Sequence, residues 1–255
     1  AMGATLQMSA NSPNIKERRD YSCAVFDADG RLLAQAAHIP VHLGALPFGV
    51  AAARAALPEW RPGDVVALND PYLGGSHLPD ITTVSAVFPP GARRPALFLS
   101  TRAHHADVGG AAPGSMGLAV DLHGEGIVLP PVRVVRSGET DPDIIAILCA
   151  NSRTPSERRA DLQAQIGAHQ VGEAGSLELL AAMPSTFDRV ASALLEYSAR
   201  RTRSVLRSIP AGTYRFADVM EQDRQGSGQI EIRVALSIDP TIMVADFRGT
   251  ADQTT

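Results

Sequence analysis

Val65-Val-Ala-Leu-Asn-Asp-Pro-Tyr-Leu-Gly-Gly-Ser-His-Leu-Pro-Asp-Ile-Thr-Thr-Val-Ser-Ala-Val-Phe88 places two apolar runs on either side of a polar, glycine-bearing loop. The run 65–68 follows the turn signal Gly63-Asp64, and the run 82–88 is rich in Val and Thr, so both are expected to be strands. Between them, 70–80 forms a long loop. A further strand, 96–102, leads into Thr101-Arg-Ala-His-His-Ala-Asp-Val-Gly-Gly110, a second Gly-rich loop. Sites are commonly assembled where strand ends meet such loops. These two loops carry His77, Asp80, His104, His105 and Asp107.

Working outward, Asp27-Ala-Asp-Gly30 is a turn between two strand-like runs, 22–26 and 32–35, and predicts a hairpin. An Ala-rich helix is expected over 48–57, stopped by Pro58, while Pro40 disfavours helix before it. Past Pro130 the pattern turns helical. Helices are expected over 143–149 and 155–180, the second broken at Gly172 or Gly175. Phe187, Val190, Leu194 and Tyr197 then recur at helical spacing, with Arg200, Arg201 and Arg203 near the helix end. After Pro210-Ala-Gly212 come three strands, 214–220, 230–237 and 242–247. The expected class is α+β: a β-rich, motif-bearing region over 1–135, a helical region over 136–210, and a further β region over 211–255. The ends read as the cut ends of something longer, since the chain opens in the middle of a helix pattern.

The 255 residues are 45% hydrophobic, enough for a real core, with a net charge of −4 and pI near 6.0. Lys and Arg form no basic tract, so neither nucleic acid nor an anionic membrane is implied, and small-molecule chemistry is the better expectation. Cys23 and Cys149 are the only cysteines, which fits a reducing compartment, the cytoplasm. No apolar run reaches the length of about 18 residues that a membrane span needs.

Six of the seven histidines fall in the first half of the chain. Imidazole and carboxylate together suit a divalent metal such as manganese, zinc or iron, and the step from His77 to Asp80 lets one tight loop offer two ligands. The bland alternative is a loop histidine beside an aspartate that caps a turn. Adjacent His104 and His105 point to opposite faces if the strand continues through them, so one would ligate and the other would orient a ligand or touch substrate. Asp107 is open between ligand and supporting carboxylate. On residue type, His38 and His42 read as ordinary surface or core histidines ahead of site groups, and the row Asp121, His123, Glu125 either lines a pocket or faces water. Asp20, after Glu17-Arg-Arg19, reads as part of a solvated charged turn, and Cys23 as core. Phosphate-binding G-x-x-x-x-G-K-[ST], the dinucleotide fingerprint and H-E-x-x-H are absent from the sequence.

Ser12-Pro-Asn-Ile-Lys-Glu-Arg-Arg-Asp-Tyr-Ser22, His38-Ile-Pro-Val-His-Leu-Gly44, the 69–80 loop, His104-His-Ala-Asp-Val-Gly-Gly110 and Pro113-Gly-Ser-Met116 together make the chain resemble the hydantoinase B/oxoprolinase family. That family includes the B-type component of N-methylhydantoinase, the C-terminal part of 5-oxoprolinase and a subunit of acetone and acetophenone carboxylases. The resemblance implies ATP-dependent opening of a hydantoin or 5-oxoproline-like cyclic amide, with a carboxylase component or a non-catalytic assembly module as alternatives. It implies that a hydantoinase A-type partner binds the ATP, in a hetero-oligomer, and that a divalent metal sits here. The metal ligands are then expected to be His77 and Asp80 with His104 or His105 completing the set, His104 being the one taken. Catalytic groups are His105, Asp107 and Asp70, and the substrate or supporting groups are His38, His42, Gly74, Gly75 and His123.

Overall fold

The computed structural model describes residues 1–37, 39–114, 119–221 and 228–252. The described chain forms two compact units, Ala1–Phe187 and Asp188–Thr255. The helical region read over 136–210 is therefore divided between them.

In the first unit the order is α1 (Met2–Ser9), α2 (Pro13–Lys16), β1 (Tyr21–Asp27), β2 (Leu32–Ala37), α3 (Pro40–Ala56), β3 (Val65–Leu68), β4 (Asp80–Val87), β5 (Leu97–His104), α4 (Leu122–Glu125), β6 (Val132–Arg136), β7 (Glu139–Thr140), α5 (Pro142–Ala150) and α6 (Pro155–Ala182). Seven strands pair antiparallel in the order β2-β1-β5-β4-β3-β6-β7. The β1–β2 hairpin turns at Gly30, whose φ of 83° suits glycine. The Asp27 carboxylate closes the turn by accepting the Asp29 and Arg31 amides.

The central strands β4 and β5 are buried along their whole length, because helices cover both faces of the sheet. Side chains alternate across a strand, and here the parity is consistent. Even-numbered Ala24, Phe26, Val84, Ala86 and Phe98 pack with Leu46, Val50 and Ala53 of α3. Odd-numbered Tyr21, Cys23, Val87, Leu97 and Leu99 pack with Met2 and Leu6 of α1 and Ala164 and Ala168 of α6. A third cluster joins Val65, Ala67, Ile81 and Val135 to Ile145, Leu148 and Leu162.

Several elements exceed the sequence expectation. Helix α3 begins at Pro40, eight residues before the Ala-rich run, because proline suits the first helical position; it also carries Pro47 inside. Helix α6 runs unbroken through Gly172 and Gly175. Gly172 instead permits close packing, since a Cβ there would stand 2.6 Å from the Met2 sulfur. The short hairpin β6–β7 was not expected; Arg133 bonded to the buried Asp64 helps fix β6 beside β3. Most consequentially, β4 starts at Asp80 and β5 ends at His104, with those two residues in register as partners. Both were expected on loops.

The second unit holds α7 (Phe187–Ser208), which starts at the last residue of the first unit, and the antiparallel strands β8 (Gly212–Met220), β9 (Ile230–Ile238) and β10 (Met243–Asp246), in sheet order β10-β9-β8. The observed class is α+β, as expected. Among the described residues no helix is long and apolar enough to cross a membrane.

Candidate metal centre

The even-numbered face of the sheet, the one that α3 covers, becomes polar at one end. There β1 and β4 begin and β5 ends, so Asp20, Asp80 and His104 meet: Asp80 and His104 are register partners, and the His104 amide donates to the Asp20 carbonyl at 2.9 Å. The first turn of α3 brings His42 over this corner. The loop before β4 brings Ser76 and His77. Two glycines let that loop fold tightly. Gly74 has φ 90°, and a Cβ there would lie 2.5 Å from the Phe48 carbonyl oxygen; one on Gly75 would lie 2.2 Å from the Asn69 oxygen.

Everything at the corner converges on the Asp80 carboxylate. His77 Nε2 and His104 Nδ1 each stand 3.0 Å from its Oδ1, and His42 Nε2 stands 3.3 Å from its Oδ2. Asp20 closes the group, with Oδ1 3.7 Å from His42 Nε2 and Oδ2 4.0 Å from His104 Nδ1. One donor atom from each of His77, Asp80 and His104 fits within 4.8 Å of the others. Bonds of about 2.0–2.1 Å to one tetrahedral cation place neighbouring donor atoms ~3.3 Å apart, against 3.0 Å for each of the two His–Asp80 pairs, and the nitrogen and oxygen donors suit a divalent metal in chemistry. The far nitrogen of His42 is held by Ser22 Oγ at 3.1 Å, and Ser76 Oγ donates to Asp80 Oδ2 at 2.8 Å. Such supporting bonds fix ring and carboxylate orientation at metal sites.

Asp80 and His42 are 2% and 1% exposed, whereas His77 and Asp20 are 39% and 28% exposed at the side chain, so the corner opens to solvent past those two. Burial alone would raise the Asp80 carboxyl, but hydrogen bonds from His104, His42 and His77 hold it well below the usual carboxylate range. His77 is raised by its hydrogen bond to Asp80, against a smaller opposing effect of burial.

The other candidates are engaged elsewhere. His105 follows the strand parity onto the α6 face, where it is fully buried and its Nε2 donates to Gln165 Oε1 at 2.8 Å. Burial, and next the Arg158 charge, push it well below an ordinary histidine. Asp107 braces the second loop. Its carboxylate accepts from the Arg153 amide, from Arg153 Nη1 at 3.0 Å and from the Gly109 amide at 2.9 Å. Asp70 caps a 3-10 turn, Pro71–Leu73, through the Tyr72 amide. His123 stands exposed on the short helix α4. His38 lies outside the described residues. The sequence reading puts Asp20 in a solvated charged turn, which its contacts with His42 and His104 correct, and it does not single out Ser22. Their signal was parity, since both share the even-numbered face with Ala24 and Phe26.

A solved structure with the same architecture is the ATP-dependent caprolactamase from Pseudomonas jessenii: TM-score 0.89 and 30% identity, over 96% of this chain and 42% of that one. The 5-oxoprolinase of Saccharomyces cerevisiae is 32% identical over 274 residues, covering 99% of this chain and 20% of the yeast protein. The putative B component of a D-/L-hydantoinase from Pseudomonas sp. (strain NS671) is 30% identical over 268 residues, covering all of this chain and 45% of that protein. The chain thus spans less than half the length of each of these relatives. The model of the hydantoinase B/oxoprolinase family matches residues 1–255, and the chain belongs to that family.

Proposed function

We propose that this chain carries the metal centre of an ATP-dependent hydrolase that opens cyclic amides, with His77, Asp80 and His104 as ligands and with Asp20 and His42 as the further donors. The observation that carries the reading is the convergence of three imidazoles on Asp80, with a second carboxylate, Asp20, beside two of those rings. When bound, a divalent cation, manganese, zinc or iron, supplies Lewis acidity at this corner.

The residues around it divide the work. Asp80 and His104 are held by the sheet register, so their donor atoms are fixed before any ligand arrives, which is the preorganisation a site needs. His42 is oriented from behind by Ser22. His77 and Asp20 face solvent and form the entrance, where a small cyclic amide reaches the centre. An amide carbonyl is a poor electrophile, and phosphorylation of its oxygen makes it a good one. We assign that ATP-dependent step to a hydantoinase A-type partner in a hetero-oligomer, because this sequence has no phosphate-binding loop and because a relative bears the name of the B component of a hydantoinase. The buried, free cysteines Cys23 and Cys149 suit the cytoplasm.

The test is elemental mass spectrometry on the purified chain and its His77→Ala and His104→Ala variants, followed by ATP-dependent turnover with the A-type partner. One metal per chain, lost in both variants, with ring opening of 5-oxoproline or a hydantoin, is expected. Carboxylation of a ketone with no ring opening would move the chain to the carboxylase branch. Turnover unchanged in both variants would leave it an assembly module.

A further inference from the structure

Arg102 is a fully buried cation with no carboxylate among its hydrogen-bond partners in the described residues. It lies on β5, two residues before His104 on the same face, in register with Ser22 of β1 on one side and Thr82 of β4 on the other. Its Nε donates to Thr82 Oγ1 at 2.7 Å, Nη2 to the Gly74 carbonyl at 3.0 Å, and Nη1 to Ser76 Oγ at a long 3.4 Å. Helix α3 closes over it at Gly49, where a Cβ would stand 3.6 Å from Nη2 and 3.3 Å from the Gly74 oxygen.

A buried charge is costly unless something compensates it. The compensation here is one hydroxyl away. A guanidinium only donates, so Ser76 Oγ accepts from Arg102 and has its own proton free for Asp80 Oδ2, to which it donates at 2.8 Å. The chain of bonds therefore has one direction, from Arg102 through Ser76 to Asp80.

We propose that Arg102 is a positioning residue of the centre: it pins the Gly74–Ser76 part of the site loop to the sheet and, through the Ser76 hydroxyl, aims the Asp80 carboxylate at the cation. This rests on the metal-centre reading above. A lysine cannot replace it, because a single ammonium cannot reach Thr82, Gly74 and Ser76 as a planar fork does.

The test is a double-mutant cycle on Mn(II) affinity, measured by titration calorimetry on the full chain with Ser76→Ala, Arg102→Lys and the pair. Each single change is expected to weaken binding about tenfold, in the range for residues that orient ligands. If Arg102 acts through Ser76, the double variant is no weaker than the worse single one. Additive losses, or wild-type affinity in either single variant, overturn the inference while leaving the metal centre standing. Should Arg102→Lys fail to fold, Arg102→Gln takes its place in the cycle, with the same outcomes. If the wild type itself binds no Mn(II), the metal-centre reading falls, and hydrogen exchange over 69–80 then judges Arg102: faster exchange in Arg102→Lys supports the pinning, and unchanged exchange overturns it.

Discussion

The two faces of the seven-stranded sheet each bury a polar cluster containing histidines, and they treat those histidines in opposite ways. On the α3 face, His42, His77 and His104 all point at carboxylates, Asp80 and Asp20. On the α6 face, His169 lies between two hydroxyls, Ser85 Oγ at 2.7 Å from Nδ1 and Thr83 Oγ1 at 2.8 Å from Nε2, and His105 donates to the Gln165 amide oxygen. Gln165 in turn donates to Thr101 Oγ1 and the Ile81 carbonyl, both at 3.0 Å. Burial holds His169 down at about 3, while the Asp80 bond raises His77. One face has charge to offer a cation and an opening to solvent. The other is a closed network of hydroxyl and amide partners that joins α6 to the sheet, and the buried cation near it, Arg158, is paired with Asp161. Residue type does not separate the two clusters; the partners, and the opening past His77 and Asp20, do.

The largest effect that this contrast predicts is at its charged centre. Asp80→Ala removes the acceptor that His42, His77, His104 and Ser76 all address, and metal affinity should fall by more than the roughly 10–100-fold typical of losing a supporting residue. Equilibrium dialysis with Mn(II) or Zn(II) measures it. Retained stoichiometric metal would end the distinction between the faces.

The corresponding cut on the α6 face should cost stability and spare the metal. His169→Ala takes the ring partner from the Ser85 hydroxyl, leaves Thr83 Oγ1 only its bond to Thr101, and opens a cavity, so a loss of about 2–3 kcal/mol in urea unfolding is expected, with metal stoichiometry unchanged. The pH dependence follows from the same histidine. Unfolded, it takes up a proton near 6.5; folded, it resists protonation until about 3. Its contribution is therefore present above 6.5 and lost as pH falls from there toward 3, with a slope of up to ~1.4 kcal/mol per pH unit. His105, also depressed, acts in the same direction. Unfolding free energies measured between pH 7 and 4 in chelator should fall less steeply in His169→Ala than in the wild type. An unchanged slope would mean that His169 is not held neutral.

Much of this was legible in the chain, and the gaps have physical causes. The loops around His77, Asp80 and His104 stood out because glycine, histidine and aspartate are rare together in a core-forming sequence. What the sequence hid was where the strands stop. With β4 read from Thr82 and β5 read to Arg102, His104 and His105 sat on a loop and either could have joined Asp80. The pairing that carries both strands two residues further joins residues 24 apart, Asp80 and His104, and local propensity does not encode it. Asp20 was misjudged for the same reason. Beside Glu17, Arg18 and Arg19 it looks solvated, and only the ladder between β1 and β5 turns it toward the histidines. Arg102 was invisible as a buried cation because strand composition says nothing of what covers it.

A smaller effect tests how far support extends behind the ligands. Ser22→Ala removes only the oxygen that orients His42, and about a tenfold loss of metal affinity with little change in melting temperature is expected. An affinity equal to wild type would restrict the centre to the groups that touch Asp80 directly.

The smallest effect expected is the most discriminating, because it changes the residue beside a proposed ligand. His105→Gln keeps an amide N–H that reaches toward Gln165 Oε1 and removes a ring whose Nδ1 has no partner among the described residues. Losing an unpartnered buried nitrogen offsets part of the packing loss, so the cost should be about 1 kcal/mol, below the usual figure for truncating a buried side chain. Metal affinity should be unchanged, although His104, one residue away, is proposed to be indispensable for it. The sheet separates the two rings by sending them to opposite faces, and no short-range motif does that. If His105→Gln lost the metal while keeping its fold, the faces would be coupled through β5, and the neutral network behind the sheet would have to be counted as part of the centre.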